Sequence, residues 1–346
     1  MTTDSPYLKD YDFDYPEDSV ATAPVHPRDS SRLLVLDRST GAVSHRRFSD
    51  LPGHLRKGDC LVVNGSKVLP ARLPGRKPTG GRVELLLVRE LGPGRWEALA
   101  TGLRPGTRVA LDGGGWAEAR GYDESSGTWE FVFSTEEVRS LLRSAGLAPL
   151  PPYILKRRKR AGAPVVEDRE RYQTVYAREE GSVAAPTAGL HFTSALLDEV
   201  RARGVSIVEV TLHVGLGTFR PVTVEDSREH RMLAERFSVA PGVPEMLAAT
   251  RRAGGRVVAV GTTAVRTLET LALRPGTLVG ETDLFIRPGH AFRSVDALVT
   301  NFHQPRSTPL LLACAFAGKG RLLSAYREAV AGGYRLFSYG DSMLVL

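Results

Sequence analysis

The chain has 346 residues, 42% of them hydrophobic, and carries 46 Lys and Arg against 39 Asp and Glu for a net charge of +7. That size and apolar content suit two soluble globular domains with a sizeable core, and no apolar run is as long as a membrane span. Cys60 and Cys314 are the only cysteines and share no zinc or redox spacing, so neither metal nor disulfide is expected.

In chain order, residues 33–36 and 42–45 are apolar or alternating segments joined by Asp37-Arg38-Ser39-Thr40-Gly41, which predicts a β-hairpin; residues 60–63 read as a buried strand. From 68 to 152 the pattern stays β, with strands at 83–88, 96–99, 108–111 and 129–133 separated by Gly-rich turns. Short strands at this spacing predict a small barrel or sandwich. A helix over about 135–145 and the turn at 149–152 close that unit. The run Lys156-Arg157-Arg158-Lys159-Arg160 lies between Pro-rich and Gly/Pro stretches and is expected in an exposed loop, gripping phosphates or simply solvated.

Beyond about Gln173 helices and strands alternate: helix 196–203, strand 206–212, helix 244–253, strand 256–260, strand 297–299, then helices 308–316 and 321–331. This predicts an α/β layer on a largely parallel sheet. Three of its strands end in polar, Gly- or Thr-containing loops: His213-Val214-Gly215-Leu216-Gly217-Thr218, Gly261-Thr262-Thr263, and Thr300-Asn301-Phe302-His303. Ligands of open α/β sheets bind at strand carboxyl ends, so the three loops should meet at one pocket. Gly261-Thr262-Thr263 opens a helix over about 264–271, where a Thr can cap the helix while free N–H groups face an anion; capping alone accounts for most such pairs. It matches neither the phosphate loop nor the dinucleotide fingerprint. His191 and His303 each follow an apolar residue and precede a loop, as a pocket rim would place them, although a buried structural histidine has the same pattern. The net positive charge fits an RNA or DNA partner, and equally an Arg-rich composition with no nucleic-acid role. The polar, acidic first nine residues are unlike a signal peptide, so a soluble, cytoplasmic protein is expected.

Segments 11–13, 64–72, 184–192, 211–222, 260–269, 295–318 and 337–341, in this order, closely resemble one family, the S-adenosylmethionine:tRNA ribosyltransferase-isomerases of queuosine biosynthesis. The resemblance implies an α/β main domain (1–67 and 153–346) carrying an inserted all-β, barrel-like domain (68–152). It implies S-adenosylmethionine as co-substrate and no metal. The ribosyl unit would pass to 7-aminomethyl-7-deazaguanine at the wobble position of tRNA, giving epoxyqueuosine-tRNA, adenine and methionine. That chemistry removes a proton beside the sulfonium and expels adenine, steps for which histidines titrating near neutrality are suited. His191 and His303 are therefore expected to transfer protons, with Glu235 or Asp341 as alternative base or as the group orienting the sulfonium. Thr187, His213, Gly215, Gly217, Thr218, Thr262, Thr263, Asn301 and Tyr339 are expected around the co-substrate. Asn64, Lys67, Arg72, Lys156, Arg157 and Arg158 are expected to meet tRNA. A monomer without membrane association is expected. Departures from the family pattern at Leu233, Gly65, Lys67, Gln304 and Pro309 keep two alternatives open: a paralogue acting on a small-molecule acceptor, and a non-catalytic RNA-binding protein on the same scaffold.

Overall fold

The computed structural model describes residues 5–161, 167–218 and 222–346. Nine strands form the main sheet, in the order Val279–Thr282, Glu235–Val239, Ser206–Leu212, Cys60–Asn64, Val257–Val260, Ala297–Asn301, Ser342–Val345, Arg32–Leu36 and Val43–Arg47. All five residues of Cys60–Asn64 are buried, as a central strand covered on both faces requires. Its alternate side chains part to the two faces. Cys60 and Val62 join a core with Phe302, Leu310 and Leu322, whereas Leu61 and Val63 join Phe48, Phe192 and Val200. The helices Thr262–Leu273, Thr308–Ala317 and Lys319–Ala331 cover the first face; Ser194–Ala202 and the 3-10 turn Phe48–His54 cover the second. Thr308–Ala317 is apolar nearly all round and buries Leu310, Leu311, Leu312 and Phe316 among others. Each such side chain contributes about 1.5–3 kcal/mol of burial, which places this helix inside the molecule and not on its surface.

The predicted hairpin and the strands at 60–63, 206–212, 256–260 and 297–299 are present within a residue or two at their ends. The sheet is mixed, however, and not largely parallel. Ser206–Leu212, Cys60–Asn64, Val257–Val260 and Ala297–Asn301 run parallel at its centre, while Glu235–Val239, Val279–Thr282 and Ser342–Val345 enter antiparallel to a neighbour. The reason lies in the connections. One crossover helix returns the chain to the starting end of the sheet, but the two helices between Ala297–Asn301 and Ser342–Val345 leave it at the far end.

The inserted unit is a closed antiparallel barrel of Arg72–Arg76, Arg82–Gly92, Arg95–Leu99, Arg108–Leu111, Trp116–Asp123 and Thr128–Phe133. Trp96, Phe131, Leu85 and Leu87 fill it. A two-stranded parallel pair, Ser66–Val68 with Glu179–Ser182, flanks its base. The basic run 156–160 is not a loop: it belongs to the helix Pro152–Ala161. Pro with its fixed φ suits a first helical turn, and Lys and Arg are strong helix formers, so local propensity outweighs the flanking breakers.

Candidate active site

A cavity of about 510 Å³ opens at the carboxyl ends of Val257–Val260 and Ala297–Asn301. One wall is Gly261, Thr262 and Thr263, the start of the helix Thr262–Leu273. Gly261 sits at φ 86 and ψ 156, a conformation open almost only to glycine, and it is the N-cap with no side-chain hydrogen bond. The expected Thr cap is therefore absent: Thr262 and Thr263 are already helical. The N–H groups of such a first turn have no intrahelical acceptor and carry the positive end of the helix dipole. Asn64 fixes this turn from below. Its Nδ2 donates to Thr263 Oγ1 (3.1 Å) and to the Leu212 carbonyl (3.0 Å), and its Oδ1 accepts from the N–H groups of Leu212 and Ser66.

Beside this turn, at the end of the neighbouring strand, are Thr300, Asn301 and His303, and Thr187 from the 3-10 turn Thr187–His191 also lines the cavity. His303 is in the cavity wall, its Nε2 2.7 Å from Thr300 Oγ1 and its N–H donating to Tyr326 Oη (3.0 Å). Burial pushes its imidazole down to about 3, so it is neutral near pH 7 and not poised at neutrality as expected. His191 is only 4% exposed and does not line the cavity. It stacks on Phe48 and is held between Ser31 Oγ at Nδ1 (2.8 Å) and Asn301 Nδ2 at Nε2 (3.1 Å). Burial first, then the charges of Arg335 and Arg28, push it down to about 3 as well.

The carboxylates are occupied elsewhere. Glu235 is buried, accepts from the Gly215 N–H (2.8 Å) and from Arg266 Nη1, and Arg266 also donates to the carbonyls of Leu284 and Thr282. This pair lines a side pocket of about 40 Å³ that shares Gly217, Thr262 and Thr263 with the main cavity. Asp341 is 2% exposed and outside the cavity wall. Its oxygens accept the main-chain N–H groups of Arg32 (3.0 Å) and Arg335 (2.8 Å), stitching the C-terminal strand to its neighbours. Each acid therefore already serves main-chain donors. Tyr339 donates to Asp168 Oδ1 (2.9 Å) and packs edge-on against Tyr172, which does reach the cavity. His213 pairs with Ser66 Oγ (2.8 Å), away from the cavity wall. The side chain of Thr218 lies outside the described residues.

Of the residues expected to meet tRNA, Asn64 is fully buried beneath the cavity and has every donor and acceptor satisfied within the protein. Arg72 pairs with Glu84 (2.6 Å) and Lys67 with Glu180 (3.2 Å). Arg157 pairs with Asp18 (2.6 Å), and Arg158 is gripped by Asp168 and the Thr22 carbonyl (2.8 Å). Lys156 and Lys159 are exposed on the same helix, whose Pro152 and Tyr153 line the cavity. Among the wall residues that sequence reasoning missed are Tyr153, Arg306, Phe337 and Ser338. Arg306 (φ 57) and Phe337 (φ 71) are the two non-glycine residues at positive φ among those described, and such strain concentrates at functional sites. No local motif announces a strained Arg or Phe.

Fold and cavity together define an α/β protein with an inserted barrel and a cavity of small-molecule size at its strand ends. The queuosine biosynthesis protein family model matches residues 8–345, and the chain belongs to that family. It is 54% identical to the S-adenosylmethionine:tRNA ribosyltransferase-isomerase of Anaeromyxobacter sp. (strain K), over 98% of this chain and 99% of that protein. It is 52% identical, over the same shares, to the protein of that name from Symbiobacterium thermophilum. The crystal structure of the S-adenosylmethionine tRNA ribosyltransferase of Thermotoga maritima covers 97% of this chain and 100% of its own, at 38% identity and a TM-score of 0.57.

Proposed function

We propose that this chain transfers and isomerises the ribosyl unit of S-adenosylmethionine onto 7-aminomethyl-7-deazaguanine at the wobble position of tRNA, releasing adenine and methionine. End-to-end similarity to relatives named for this activity supports the reading. The single structural observation that carries it is the cavity itself, about 510 Å³, whose wall includes both a helix N-terminus and a neutral imidazole. The N–H groups at Thr262 and Thr263 would take the methionyl carboxylate, with Thr187 and Gly217 beside it. Neutral His303 would accept the proton from the carbon next to the sulfonium. The resulting imidazolium, unstable where it is buried, would pass that proton to departing adenine. Glu235 with Arg266 would shape the Gly215 loop and not exchange protons. Lys156 and Lys159, on the helix that starts at the cavity, would meet the anticodon backbone, and a base of a single-stranded loop is splayed into a pocket at small cost. The same reading takes 68–152 as one inserted unit and the chain as a monomer in the cytoplasm.

The test is release of adenine and methionine from S-adenosylmethionine with and without tRNA carrying 7-aminomethyl-7-deazaguanine. Release that requires the modified tRNA supports the assignment. Release indifferent to tRNA favours a small-molecule acceptor, and tRNA binding without release favours a silent RNA-binding protein.

A further inference from the structure

Asn301 is 2% exposed and lines the cavity, and three groups surround its amide nitrogen. Nδ2 lies 3.2 Å from the Phe337 carbonyl, 3.5 Å from the Asp341 carbonyl and 3.1 Å from His191 Nε2. Two carbonyl oxygens on one side force the NH2 to face them, so the orientation of the amide is set by its partners. The third partner must then accept, which makes His191 the tautomer that carries its proton on Nδ1, toward Ser31 Oγ. Protonation of His191 would aim a second N–H at the Asn301 amide; burial keeps the ring neutral and prevents this. What remains is Asn301 Oδ1, buried and without a hydrogen-bond partner among the described residues. An orphaned buried acceptor costs stability unless something fills it.

The same amide holds the strained corner. Phe337, at φ 71, gives its carbonyl to Asn301 and its N–H to the Phe302 carbonyl (3.2 Å). Its ring meets Tyr153 edge-on at 5.4 Å, and Tyr153 Oη is 2.5 Å from Ser338 Oγ. Phe337, Tyr153 and Asn301 all line the cavity, so it holds aromatic surfaces and an uncharged acceptor together. A flat base with an exocyclic amine satisfies both, whereas an ammonium group would find no counter-charge on this amide.

We propose that Asn301 and the Phe337–Tyr153 corner form the adenine subsite, with Asn301 Oδ1 accepting a hydrogen bond from the exocyclic amine, and that His191 is a positioning residue acting through Asn301. The inference rests on S-adenosylmethionine being the co-substrate. It replaces a proton-transfer role for His191 and leaves His303 as the titrating group at the cavity.

The experiment compares, by calorimetry, binding of S-adenosylmethionine with binding of its analogue bearing purine in place of adenine, which lacks only the exocyclic amine. The wild-type protein is expected to prefer the natural compound about tenfold, the order of one buried hydrogen bond. Asn301→Ala and His191→Ala should bind the two ligands within about twofold of each other, and His191→Gln, whose amide oxygen can accept from Asn301, should recover part of the preference. Wild-type protein that binds both ligands alike overturns the proposal without any variant. So does a folded Asn301→Ala protein that keeps the preference. Adenine release with modified tRNA is followed in the same preparations. Its absence beside an intact preference defeats the ribosyl-transfer reading and supports the subsite; release with no preference does the reverse.

Discussion

His191 and His303 show how much the environment of a residue decides. Both look alike in sequence, each after an apolar residue and before a loop, and both are driven to about 3 by burial. Only His303 is in the cavity wall. His303→Ala is therefore expected to lower kcat by about 10²–10⁴, the range of a lost general acid–base group, with little change in co-substrate affinity; single-turnover adenine release measures it. Glu235→Gln has a different signature. It leaves the Arg266 guanidinium buried without its counter-charge, and losing one partner of a buried pair costs about 3–5 kcal/mol. An unfolding free energy from denaturant titration lowered by that amount, with turnover retained at low temperature, is the expected result. Full loss of turnover in the folded variant would give Glu235 a chemical role after all.

Two elements carry the site, and each offers a test. The helix Thr262–Leu273 depends on Gly261 at φ 86 and ψ 156. Its nearest foreign atom to an added Cβ is Ala188 Cβ at 3.6 Å, an ordinary contact, so the penalty of Gly261→Ala is conformational: about 1–3 kcal/mol. Relaxing that strain turns the first-turn N–H groups away, so weaker S-adenosylmethionine binding should accompany the lower melting temperature. The helix Pro152–Ala161 separates its charges by role. Lys156→Ala and Lys159→Ala should each weaken tRNA binding and reduce the slope of log K against log salt by about one unit, with no loss of stability. Arg158→Ala should instead destabilise, because Arg158 ties Asp168 and the Thr22 carbonyl together. Equal salt slopes for all three variants would contradict this division.

At the scale of the molecule, the lowered histidines make stability depend on pH. Unfolded His191 and His303 titrate near 6.5, but folded they resist protonation down to about 3. Between those values the unfolded chain binds more protons, so stability is full above about pH 6.5 and falls as the pH drops toward 3. Melting temperatures from pH 7 to pH 4 should decline, and His303→Gln should flatten the decline. A slope unchanged in that variant would mean that folding does not lower the proton affinity of His303.

The segments of regular pattern were legible in sequence: the hairpin, the buried strand at 60–63, the β-rich insert, the late helices, and the gathering of the 261–263 and 300–303 loops at one cavity. Such features follow from local periodicity and from the rule that strand carboxyl ends bind ligands. The family itself was legible from motif order. What only the tertiary structure decided was the use of each polar group. Asn64, Glu235 and Asp341 resemble site residues in sequence, yet their hydrogen bonds are consumed by main-chain groups and an arginine from distant segments. Phe337 and Tyr153 look like core residues but meet at a strained cavity corner. A side chain's type announces what chemistry it is capable of; whether that capacity is spent on the protein or left for a ligand depends on partners that folding brings from far along the chain.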